Sequence, residues 1–74
     1  MNDLPTELLE AINIAIRECK DPYAQTYLRN IDLAISEYGN EGLKTQLLYC
    51  LSNMQDWKGQ TAREVKKVFK KFSK

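Results

Sequence analysis

The residues best placed to act together lie at the end of the chain, where residues 61–74 read TAREVKKVFKKFSK. At about 100° per residue of helix, Arg63, Lys66, Lys67, Lys70, Lys71 and Lys74 fall within an arc of roughly 140°. Ala62, Val65, Val68, Phe69 and Phe72 fill the other side. A row of ammonium and guanidinium groups meets phosphates or carboxylates, which is binding chemistry and makes no bonds. Its plainest reading is a solvated face. Cations near a helix C-terminus gain about 0.3–1 kcal/mol each from the helix dipole, and lysines keep a small protein soluble.

Other chemistry is thinly supplied. The absence of histidine removes the usual general base, the usual zinc ligand and the Ser-His and Cys-His nucleophile arrangements. Cys19 and Cys50 are too far apart for a CxxC motif. Each falls on an apolar helix face, as expected for buried thiols in a reducing compartment. A disulfide between them does not follow from two cysteines alone. Gly39, Gly42 and Gly59 lack the spacing of a phosphate-cradling loop. Glu18 with Asp21, or Glu37 with Glu41, could be imagined as acid/base pairs, but nothing in the sequence places either in a cleft. The chain is expected not to be an enzyme and to need no metal or cofactor.

Four helices must position these residues. Asp3 and Pro5 suit a helix start, and Leu8, Leu9, Ile12, Ala15, Ile16 and Cys19 recur at helical spacing. Asp21-Pro22 ends that helix and opens the next, with Asp21 as N-cap and Pro22 at the first helical position. Ala24, Tyr27, Leu28, Ile31, Ala34, Ile35 and Tyr38 form the second stripe, closed by Gly39 as a left-handed C-terminal residue. Asn40 can cap the third helix, in whose first turn Gly42 costs little. Leu43, Leu47, Leu48, Cys50, Leu51 and Met54 are its stripe. Thr61 to Glu64 match a capping box for the fourth. The expectation is an all-α four-helix bundle or array with short connections, its helices roughly at 4–20, 22–38, 41–55 and 61–73.

Residues 1–74 suffice for one small domain. Its charge is polarised: seven of the eleven Lys and Arg lie from Lys58 onward, where Glu64 is the only acid, and residues 1–57 are net acidic. Trp57, in the turn before the fourth helix, is expected to plug one end of the core. Ile14, Leu33 and Tyr49 fall off their stripes, which leaves room for a homodimer or partner surface beside burial or simple exposure. The N-terminus lacks the basic and apolar regions of a signal peptide, and no stretch is apolar enough for a membrane span. A cytoplasmic location is expected.

Three binding readings follow. The leading one is an unidentified protein partner with an acidic surface, met by the lysine stripe with Tyr23, Tyr49 or Trp57 as aromatic anchors. The alternative is nucleic acid, with the same stripe on phosphates. No aromatic residues interleave with the charges as a single-strand platform requires. A membrane-surface helix would need the Val/Phe face that the core also needs, so no membrane contact is expected.

From Tyr27 to about Phe72 the chain resembles small phage- or prophage-encoded helical bacterial proteins of unknown function. The likeness is carried by Tyr27-Leu28-Arg29, Ala34-Ile35, Tyr38-Gly39, Gly42-Leu43-Lys44, Gln46-Leu47-Leu48-Tyr49, Leu51-Ser52-Asn53, Trp57-Lys58-Gly59 and Ala62-Arg63-Glu64-Val65-Lys66. It implies a mobile-element setting, in which small non-enzymatic proteins often bind a host or phage macromolecule. No functional residue carries over from it.

Overall fold

In a computed structural model, which describes residues 4–74, helix α1 (Thr6–Glu18) begins directly after Pro5, whose carbonyl accepts the Leu9 N–H at 3.0 Å. The expected cap Asp3 lies outside the described residues. Helix α2 (Pro22–Arg29) starts as its sequence predicts. The Asp21 carboxylate accepts the N–H groups of Tyr23 at 2.8 Å and Ala24 at 3.0 Å, and Pro22 occupies the first turn. Such a cap contributes about 1 kcal/mol.

The second stripe is not one helix to Tyr38. It breaks at Asn30, whose φ of −104° and ψ of 11° leave the helical region. The cause is local: Asn30 Nδ2 donates to the Thr26 carbonyl at 2.7 Å, and the Asn30 N–H turns to Tyr27 at 3.2 Å. The side chain thus takes the carbonyl that the backbone N–H would have used. Asn53 repeats the device at the end of the next helix, with Nδ2 on the Tyr49 carbonyl at 2.9 Å and its N–H on Cys50 at 3.1 Å.

Helix α3 therefore runs from Ile31 to Ser52, but not straight. Gly39 has φ 66° and ψ −143° and divides it into arms at 31–38 and 40–52. A straight helix of 22 residues would measure about 33 Å, more than the molecule's longest dimension of 31 Å. The arms instead fold onto each other, so closely that a Cβ at Gly42 would collide with the Ala34 carbonyl and Tyr38 Cβ. Gly42, expected only to be tolerated, is required by this approach. Tyr38, expected on the buried stripe, stands outside at the bend and is 73% exposed.

Helix α4 (Gln60–Phe72) follows a turn over 53–59. The expected capping box is not formed. Gly59, with φ 114°, holds the N-cap position without a side-chain bond, and the Glu64 carboxylate accepts from Gln60 Nε2 at 3.3 Å instead.

The packed pairs are α1 with α2, α2 with α3, α3 with α4 and α4 with α1, so the helices close a ring. Inside it Leu8, Ala15, Ala24, Leu47, Cys50, Met54 and Phe69 are fully buried. Ile14 packs against this core; Leu33 and Tyr49 do not sink into it.

Side-chain donors link neighbouring elements of the ring. Gln25 Nε2 of α2 reaches the carbonyls of Ile16 in α1 at 2.9 Å and of Cys19, which caps that helix, at 2.7 Å. Gln46 Nε2 of α3 reaches the Tyr27 carbonyl of α2 at 2.9 Å. Lys66 Nζ of α4 reaches the Trp57 carbonyl in the preceding turn at 2.6 Å, and Lys71 pairs with Glu7 of α1 at 2.9 Å. The carbonyls of Ile16 and Cys19 are orphans that the end of α1 leaves behind, and no buried side-chain polar atom among the described residues lacks a partner.

The bend predicts an asymmetric glycine scan. Gly39→Ala should lose about 1–3 kcal/mol through backbone strain alone, since open space surrounds the position. Gly42→Ala should lose at least as much by overpacking against Ala34. Exposed Ser36→Ala should stay within about 0.5 kcal/mol. Urea midpoints of the three variants measure this.

Candidate functional site

The amphipathic pattern of α4 divides its residues as its sequence predicts. Ala62, Val65 and Phe69 are buried, whereas Arg63, Lys67, Lys70, Lys71 and Lys74 are exposed and Lys66 is half-buried. Geometry separates the six cations by task. Lys66 is committed to the Trp57 carbonyl, and Lys71 is paired with Glu7 and lies 5.4 Å from the Phe72 ring centroid. Among the described residues, Arg63, Lys67, Lys70 and Lys74 have no carboxylate within ion-pair distance. Two of the six are thus ties in the fold, and four are available to a partner.

The α1 side of α4 is occupied: Thr61, Glu64, Val65 and Val68 share a depression there with Glu7, Glu10, Ala11 and Ile14. Arg63 and Lys66 instead line a notch at the α4 start with Gln55, Trp57, Lys58 and Gly59. Lys58, absent from the six-residue stripe, is the residue that sequence periodicity missed. It precedes the helix, so no helical spacing connects it to Arg63; only the turn does. Lys58, Arg63 and Lys66 therefore share the lining of this notch with Trp57.

Trp57 is half-buried against the core. It also lines a cleft with Cys19, Lys20, Asp21, Asp56 and Lys58, where the α1–α2 and α3–α4 connections meet. It packs against the core at this end of the ring and is only partly covered. The other two aromatic candidates stand apart from it. Tyr49 stacks on Tyr27 with centroids 5.3 Å apart on the α2 side of α3, and Tyr23 is 70% exposed in the first turn of α2. The structure brings Trp57 to the basic stripe, and neither tyrosine.

The imagined acid/base pairs acquire no shared pocket. Asp21 is engaged as a cap, and Glu37 is absent from the cleft that Glu41 lines. Among the described residues, no group of three or more His, Cys, Asp or Glu could hold a metal ion. No helix of the described residues is long and apolar enough to cross a membrane.

Both cysteines are free and buried. Burial, with the nearby Cys19 sulfur adding to it, pushes the Cys50 thiol up to about 12 from its ordinary 9.0. The thiol is thus neutral and a poor nucleophile near neutral pH.

In comparisons with known proteins, no family model, no curated protein and no solved structure matches this chain.

The Cys50 shift predicts a stability profile. Its folded value lies above its unfolded one, so its contribution is complete below pH 9 and is lost as pH rises toward 12. Each pH unit in that window should remove about 1.4 kcal/mol. Urea unfolding between pH 9 and pH 10.5 should show this slope, and Cys50→Ala should flatten it.

Proposed function

We propose that this chain is a non-enzymatic interaction protein that binds an acidic surface of a protein partner through the outer face of α4 and the Trp57 corner. One observation carries the reading. The exposed cations Arg63, Lys67, Lys70 and Lys74 lack carboxylate partners among the described residues, and Arg63 lines, with Lys58 and Lys66, a notch that also contains the half-buried Trp57. Charge at the rim speeds encounter and sets orientation, while a partly buried aromatic supplies contact area that ion pairs alone lack. Phosphates would use the cations but gain little from Trp57, unless an unstacked base met it. The phage or prophage setting implied by the resemblance, and a cytoplasmic location, belong to the same proposal.

Trp57 fluorescence gives the readout. A Glu-rich peptide carrying one Leu or Phe should change its emission, and Lys67→Glu with Lys70→Glu should weaken that binding by about tenfold or more, with a strong dependence on salt. Single-stranded DNA of matched charge forms the second arm. Tighter, salt-dependent binding of the DNA would overturn the protein reading in favour of nucleic acid. Binding of the peptide unaffected by the double charge reversal would remove α4 from the account.

A further inference from the structure

The bend at Gly39 creates a second surface, with different chemistry. Where the two arms of α3 fold together, Tyr38 and Tyr49 flank a cleft of about 360 Å³, bordered by Glu41, Thr45 and Gln46, with Ala34 and Gly42 also in its lining. That size falls at the low end of the range for ligand-holding clefts, about 300–1,000 Å³. The missing side chain of Gly42 lets the arms approach this closely, since a Cβ there would strike Ala34.

The walls are organised. Tyr49 is 49% exposed and backed by the Tyr27 ring, tilted 32° to it, and the Gln46 amide is held by the Tyr27 carbonyl. Tyr38 is the most exposed large apolar residue of those that line the cleft. Charge is one-sided. Glu41 is the only charged residue in the lining; Arg29 and Lys44, the nearest basic residues in the chain, lie outside it. An apolar occupant would leave the Glu41 carboxylate without a partner. A cation would pair with it and also be attracted to the electron-rich faces of the tyrosines.

We propose that this cleft accepts an arginine or lysine side chain presented by a protein partner, its alkyl stem against Tyr38 and Tyr49 and its cation on Glu41. The surface is separate from the α4 stripe and has the opposite charge preference, so either can fail without the other.

The test is a titration of the ¹⁵N-labelled protein with acetyl-Gly-Arg-Gly-amide, alongside the citrulline peptide, which keeps the shape and removes the charge. Amide shifts should localise to Gly42, Thr45 and Tyr49, and the citrulline peptide should bind more weakly. Glu41→Gln and Tyr38→Ala should each weaken the arginine peptide about two- to fivefold. Both positions are exposed, and unchanged spectra elsewhere would confirm that the variants fold. Asp32→Asn should leave binding unaltered. Equal binding of the citrulline peptide would overturn the proposal. So would equal shifts around Glu7, Glu10 and Glu18, or wild-type binding by both cleft variants.

Discussion

Positive φ at Gly39 is the constraint on which the rest of this structure depends. With φ 66° and ψ −143°, the position lies where a Cβ is strained, and the chain uses it to turn one helical run into two facing arms. The turn brings Gly42 against Ala34, shortens α3 to fit the molecule and carries the second arm to α4. Without it, α3 could not pack on α2 and α4 and still close the ring through α1. The same bend puts Tyr38 outside the core, where it becomes a wall of the acidic cleft.

A second constraint is the fate of helix-end carbonyls. Short connections leave them close to neighbouring helices, where an unpaired carbonyl would be costly. Gln25, Gln46 and Lys66 each donate across a joint, and Asn30 and Asn53 donate within their own helices. This sharpens the meaning of the basic stripe. Lys66 is bonded to the turn and Lys71 shares an exposed ion pair with Glu7 of α1, so a loss of binding on mutating them would mix function with these contacts. Arg63, Lys67, Lys70 and Lys74 are the positions where that distinction can be made.

Much of the fold was legible because helical periodicity and caps are local signals. The Asp21-Pro22 start, the α4 polarity and the all-α architecture with four helices follow from spacing alone. What escaped was long-range or ambiguous. Asn30 sits between apolar stripe residues that continue in phase, so periodicity passes through a break made by one side-chain amide. Gly39 marks a place for positive φ, but a helix end and a bend share that signal. The need for Gly42 depends on Ala34, eight residues earlier, which only the folded arms bring near. Thr61 and Glu64 match a capping box, yet Gly59 lets the helix start two residues sooner and leaves the box unused. At the candidate site, the charge row was visible, whereas Lys58 and Trp57 join it through a turn that no helical period describes. Tyr23 and Tyr49 were singled out for their chemistry, and the ring places them on other faces.

The bend itself can be measured directly by proton NOEs in the intact protein. In a continuous helix, Ala34 and Gly42 would be separated by about 12 Å along the axis. The structure predicts cross-peaks between the Gly42 α-protons and protons of Ala34, with the regular i to i+4 pattern interrupted at Gly39. An unbroken pattern through residues 35–43 with no Ala34–Gly42 cross-peak would contradict the bend, and with it the closed ring and the cleft at Tyr38.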